Sequence, residues 1–191
     1  TILKNVLKSD IDNIRTTMEE LDYKNFEQAV KNIREAKTIY ILGLRSSTAL
    51  AEFLGFYLNH IRDNINVVTY TIGDIFEQLF RIDENDLVIA MGFPRYSSRT
   101  IKALEYSKAM GAKTLAITDS MLSPLCSYAD NILIAKSNME SFVDSIVAPL
   151  SVLNALIVAV GIKEKEKLSL SFSRLEEIWD KYSIFAVEEE K

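Results

Sequence analysis

One cysteine and one histidine are all the thiol and imidazole groups that these 191 residues contain. Cys126, being alone, excludes an internal disulfide framework and a cysteine-built zinc cluster, and it fits a reducing compartment. His60, equally alone, excludes a multi-histidine centre, so no metal is expected. A surplus of positive charge is also missing: 22 Lys and Arg against 27 Asp and Glu leave a net charge of −5. Gripping a nucleic-acid backbone needs clustered cations, so direct DNA or RNA binding by this stretch is not expected. The most apolar run, residues 146–161, is short and is interrupted by Pro149, Ser151 and Asn154; it reads as a buried helix, not a membrane span. The start, Thr1-Ile-Leu-Lys4, lacks the basic and then apolar order of a secretory leader, and a cytoplasmic chain is expected. A first residue of Thr instead of Met leaves room for a preceding segment removed by processing or design. After Gly43 the further glycines of a dinucleotide fingerprint are absent, as is a Gly-rich loop ending in Lys-Ser/Thr, so no nucleotide cofactor is expected.

What the chain does have is apolar material for a single core: 48% of its residues are hydrophobic, enough for one domain of this length. Leu7, Ile11, Ile14, Met18 and Leu21 recur at steps of four and three, a narrow stripe that packs against another helix of a second subunit or lies on its own domain. Asp22 is placed to cap a second helix running through Phe26, Val30 and Ile33 to about Ala36. Short β-rich runs then alternate with helical ones. Strands are expected at 38–42, 67–71, 87–91, 114–118 and 132–135, with helices at 47–62, 74–80, 98–110 and 125–128. The run Leu87-Val-Ile-Ala-Met91 is apolar at every position, as in a parallel sheet covered on both faces. A long apolar helix is expected over 141–160, followed by one carrying Leu168, Phe172, Leu175, Trp179 and Tyr182, and residues 188–191 read as a solvated tail.

Ligands in parallel sheets sit beyond the C-terminal strand ends, and three loops fall there. They are Gly43-Leu-Arg-Ser-Ser47, Gly92-Phe-Pro-Arg-Tyr-Ser-Ser98 and Thr118-Asp-Ser-Met-Leu-Ser-Pro124. Each offers hydroxyls near a helix start, for which ordinary capping is a sufficient explanation; Ser123 before Pro124 needs no other. The first two loops each add an arginine, Arg45 and Arg95. Guanidinium forks beside Ser46, Ser47, Ser97 and Ser98 at helix N-termini describe a site for phosphate or carboxylate, with surface arginines over plain caps as the alternative. Gly43, Gly92 and Ser120 complete the candidate set.

The order and spacing of these pieces, with Gly111-Ala-Lys-Thr-Leu-Ala-Ile-Thr-Asp119 and Ser123-Pro-Leu, resemble the SIS (sugar isomerase) domain. More narrowly, they resemble the C-terminal effector domain of the MurR/RpiR family of bacterial transcription regulators. The resemblance implies a three-layer α/β/α fold with a five-stranded parallel sheet, and extra helices at both ends. It implies a phosphorylated sugar bound at the strand ends of a homodimer or homotetramer. Residues 1–36 then correspond to linker or oligomerisation helices, residues 37–191 to the SIS domain, and DNA is reached only through a domain preceding Thr1. Ser47 matches the family's first-loop Ser and Ser97 the last Ser/Thr of its second loop. Gly92 and Pro94 stand where the family has Ser, whereas Arg45 and Arg95 stand where it has Gly. Either the arginines bind the anion themselves, the reading adopted, or their bulk closes the site and leaves an assembly module.

SIS domains also occur in aldose–ketose isomerases, so a small cytoplasmic sugar-phosphate isomerase is the alternative function. That chemistry needs a positioned base. Glu140 is the best candidate, although its expected place at the head of the long helix already suits a carboxylate. Asp144, one turn further on, is a candidate polar site residue, and Glu77 reads as solvated. His60 among Phe56, Tyr57 and Ile61 reads as a structural or interface residue, Cys126 as a small core residue, and Phe93 and Tyr96 as either sugar-stacking or packing aromatics.

Overall fold

The computed structural model describes residues 1–70 and 73–185. Thr71, at the end of the second expected strand, and the expected tail at 188–191 lie outside the described residues. Two helices, α1 (Ile2–Glu19) and α2 (Tyr23–Glu35), precede β1 (Ile39–Gly43), α3 (Thr48–Leu58), β2 (Ile65–Val68) and α4 (Ile75–Gln78). Then follow β3 (Leu87–Met91), α5 (Ser98–Ala109), β4 (Lys113–Thr118), β5 (Asn131–Ile134), α6 (Val147–Lys163) and α7 (Lys165–Tyr182). The five strands form one sheet in the order β2-β1-β3-β4-β5, and each pairing is parallel.

Strand periodicity sorts the core into two layers. Ile39, Ile41, Leu87, Ile89, Leu115 and Ile117 point to one face and pack on α2, α3 and α6. Tyr40, Leu42, Val88, Ala90 and Ala116 point to the other, against α4, α5 and the short 3₁₀ helix Pro124–Tyr128. This is the three-layer α/β/α architecture expected from the continuous apolar strands. Asp22 caps α2 by accepting from the Lys24 and Asn25 amides, and Ser123 caps the 3₁₀ helix ahead of Pro124. Glu77 is exposed, as expected, and also completes a capping box with Asp74 at the start of α4.

Two boundaries differ from expectation in ways that matter for the site. The long apolar helix begins at Val147, six residues later than its periodicity suggests, because Asn138, Asp144 and Ser145 bond distant partners and Ser137 bonds the Ser145 carbonyl within the segment. The stripe on α1 does not lie on its own domain: Leu7, Ile11, Ile14 and Met18 are exposed, and the buried residues of α1 are Asn13 and Thr17. Among the described residues no single helix is long and apolar enough to cross a membrane.

Candidate functional site

In the strand order 2-1-3-4-5 the chain leaves β1 toward one side of the sheet and β3 toward the other, which opens a crevice at their C-terminal ends. Gly43 at the end of β1 is in register with Met91 at the end of β3, so the loops that follow both strands face each other there. The first loop is drawn tight against the start of α3. A Cβ on Gly43 would lie 2.4 Å from the Ser47 carbonyl oxygen, a contact only glycine avoids. The Thr48 hydroxyl donates to the Gly43 carbonyl at 3.1 Å and fixes that turn. Arg45 then adopts a left-handed backbone, φ +59°, at a cost of about 1–2 kcal/mol for a residue with a Cβ. An arginine held in a glycine conformation presents its side chain at the mouth of the crevice.

The second loop is stitched to the end of β4. Thr118 donates to the Gly92 carbonyl at 2.7 Å, and the Tyr96 hydroxyl donates to Asp119 at 2.7 Å. Burial, and next the Asp119 carboxylate, push the Tyr96 phenol up to about 12, so it remains a neutral donor. Ser97 caps α5 by accepting from the Thr100 amide. The third wall is the segment 136–146, in which the Asp144 carboxylate accepts from Ser46 at 2.9 Å.

Together these walls enclose a cleft of about 510 Å³. Its polar lining is Arg45, Ser46, Ser47, Arg95, Ser97, Thr100 and Asp144 among others, and Met91, Phe93, Met139 and Phe142 supply apolar surface. Neither arginine has an ion-pair partner among the described residues. Thr100 is 1% exposed, and its hydroxyl has no hydrogen-bond partner. A buried donor left unmatched costs about 1–3 kcal/mol, and here it lies on the wall of a cleft at a helix N-terminus. The arrangement suits an anion of phosphate or carboxylate type.

Of the residues singled out from the sequence, Arg45, Ser46, Ser47, Gly92, Arg95 and Ser97 line the cleft. Gly43 supports it from beneath. Ser98 is exposed on the first turn of α5, outside the lining. Ser120 is turned away, its hydroxyl accepting from the Leu122 amide at 3.0 Å. Glu140 stands on no helix head; it is exposed and borders a separate hollow beside Val6 and Asp10. His60 is remote, stacked 5.9 Å from Phe172 and edge-on to Phe56. Burial pushes the Cys126 thiol up, with the Asp119 charge adding to it, so it is a poor nucleophile at neutral pH. Thr100, Met139, Ser141 and Phe142 escaped sequence reasoning. For Thr100 the signal was there, three residues after the cap Ser97, where an N-terminal hydroxyl faces the same space. Among the described residues no group of His, Cys, Asp and Glu is arranged to hold a metal ion.

Fold and cleft thus define an α/β domain with an arginine-lined crevice at the switch point of a parallel sheet. Residues 32–159 match the SIS domain family, and the chain belongs to it. The SIS domain of an RpiR transcription factor from Sphaerobacter thermophilus superposes with a TM-score of 0.87 at 28% identity, covering 91% of this chain and 97% of that one. The Vibrio vulnificus NanR protein, solved with ManNAc-6P, gives a TM-score of 0.82 at 18% identity over 98% of this chain and 71% of that one. A Haemophilus influenzae HTH-type transcriptional regulator is 29% identical over 129 residues, 67% of this chain. The chain spans 44% of the length of that relative.

Proposed function

We propose that this chain is the sugar-phosphate-sensing effector domain of a bacterial transcription regulator, with Arg45 and Arg95 as the principal anion ligands. The observation that carries the reading is the cleft itself: two guanidiniums, without ion-pair partners among the described residues, line one space between the starts of α3 and α5. Ser47 and Ser97 add hydroxyls on the same walls, and Ser46 reaches across to Asp144. A phosphate would receive charge-assisted hydrogen bonds from the arginines, while the sugar would lie on Phe93, Met139 and Phe142. The similarity to NanR, solved with ManNAc-6P, supports a phosphorylated sugar as the ligand class. The similarity to an HTH-type regulator supports a DNA-binding domain elsewhere in the protein, N-terminal to α1.

In this reading residues 1–36 link that domain to the sensing domain and carry an assembly surface for a homodimer or homotetramer. The outward stripe Leu7, Ile11, Ile14 and Met18 supports it, since a helix that turns its apolar residues to solvent is suited to a second copy. The isomerase alternative needs a base in the cleft. The carboxylate there, Asp144, is already engaged by Ser46, and Glu140 lies outside the lining.

Thermal-shift measurements against a panel of sugar phosphates and their dephosphorylated counterparts test the proposal. A ligand of the folded state raises the midpoint, by about 2.7 kcal/mol of stabilisation at a hundredfold excess over Kd. The expected result is a rise with at least one sugar phosphate and none with its free sugar. Equal shifts for both, or turnover of aldose into ketose phosphate that Glu140→Gln abolishes, would contradict it.

A further inference from the structure

We propose that Asn13 of α1 is a positioning residue for the cleft, and that through it the occupancy of the cleft is coupled to the docking of α1. This deepens the proposed function and rests on the cleft being an anion site.

The helix is attached in an unusual way. It contributes no side chain to either apolar layer of the core. Besides packing along α6, it is held by a short series of polar contacts with the segment that precedes α6. Asn13 is 1% exposed, and both ends of its amide are used on one residue: Nδ2 donates to the Asn138 carbonyl and Oδ1 accepts from the Asn138 amide, each at 3.1 Å. Because the backbone partners have fixed polarity, the orientation of the Asn13 amide is fixed as well. Thr17 accepts from the Lys136 amide at 2.8 Å, and Asp10 accepts from the Ser145 hydroxyl at 2.6 Å.

These contacts bracket residues 136–145, and four residues between them face the cleft. Met139, Ser141, Phe142 and Asp144 line the cleft, and Asp144 is the partner of Ser46. One stretch of backbone is therefore the seat of α1 on one side and the wall of the anion site on the other. Ser141, with φ +67°, marks a strained point between the Asn138 clamp and Asp144. The wall has little regular structure of its own, apart from a backbone bridge between Glu140 and Val143. Its position is set by α1 together with the Ser137 hydroxyl, which donates to the Ser145 carbonyl, and with Ser46.

A wall held in place keeps water out of the cleft and strengthens the attraction between the arginines and an anion. Releasing Asn138 frees the wall and weakens that attraction. By reciprocity, an anion that favours the closed wall stabilises the docked helix by the same free energy. The helix that would lead to an upstream domain thereby responds to occupancy without touching the ligand. Its outward apolar stripe moves with it.

Titration calorimetry with inorganic phosphate, alongside hydrogen exchange of the α1 amides, tests the coupling in the whole chain. Four proteins are compared: wild type, Asn13→Ala, Asp10→Ala and Arg95→Ala. The expected result is that Asn13→Ala weakens phosphate binding by about fivefold or more, and that phosphate slows exchange in α1 of the wild type. A helix that merely props up the fold would change the melting temperature without that ligand-dependent protection. Should Asn13→Ala fail to fold, Asp10→Ala, at the less buried end of the same seat, carries the test with the same expected direction. Binding that is lost in Arg95→Ala but wild-type in both α1 variants, with no change in α1 exchange, overturns the coupling and leaves the cleft reading intact. No phosphate binding to the wild type overturns both.

Discussion

The Ser46 hydroxyl donates to the Asp144 carboxylate at 2.9 Å, joining positions 98 residues apart in the chain. This bond ties the loop after β1 to the segment before α6 across the cleft mouth, and it puts a negative charge in a cleft that Arg45 and Arg95 also line. Asp144→Asn keeps an acceptor for Ser46 and removes the charge. Inorganic phosphate is expected to bind the variant about two- to fivefold more tightly at low ionic strength, with the gain shrinking in salt. Titration at two salt concentrations checks this.

Tyr96 and Asp119 hold the second loop in place. Tyr96→Phe removes a bond to a charged acceptor and is expected to cost about 1–2 kcal/mol in denaturant unfolding. The pH dependence follows from the phenol being raised from 10.0 to about 12, first by burial and then by Asp119. A raised folded value means that the phenol's contribution is fully present below pH 10.0 and is lost as pH climbs toward about 12. Denaturation midpoints on both sides of that window should fall faster for the wild type than for Tyr96→Phe.

Gly43→Ala would place a Cβ 2.4 Å from the Ser47 carbonyl oxygen, against backbone that cannot rotate away. The expected loss is about 1–3 kcal/mol of stability. It should come with weaker phosphate binding, since Arg45, Ser46 and Ser47 ride on that turn. Thermal denaturation and titration of the same variant separate the two effects.

Glu164, at the junction of α6 and α7, accepts from Arg34 of α2 and from Lys167, both at 2.7 Å, with its side chain 10% exposed. Lys167 foremost, and then Arg34, hold its carboxyl below the ordinary 4.5 against the opposing effect of burial. A depressed carboxyl contributes stability that is present above 4.5 and lost as pH falls through the folded value. Glu164→Gln is therefore expected to cost about 1–2 kcal/mol near neutral pH. Urea titrations at falling pH should bring variant and wild type together on the acid side.

Much of this architecture could be read from residue order alone. The strand Leu87–Met91 stands where it was expected, residue for residue, because a run that is apolar at every position has little choice but a buried parallel strand. The arginine-bearing loops were legible for a related reason: a strand followed by Gly, Arg and Ser and then a helix fixes which sheet edge they occupy. The segment 137–146 was not legible. Its apolar residues fit the period of the helix that follows, and only distant partners, Asn13, Asp10 and Ser46, decide against a helix there. The inward face of α1 was hidden likewise, since the stripe Leu7, Ile11, Ile14 and Met18 suggests an apolar contact whereas the helix seats itself through Asn13 and Thr17. Long-range polar pairing leaves no periodic trace, so the wall of the cleft had to come from the structure.

The central claim, that Arg45 and Arg95 make this crevice an anion site, is tested most directly by titrating phosphate into the wild type, Arg45→Ala and Arg95→Ala under one buffer. Charge-assisted hydrogen bonds contribute about 1.5–3 kcal/mol each, so each substitution is predicted to weaken binding at least tenfold. Undiminished phosphate affinity in both variants would contradict the account.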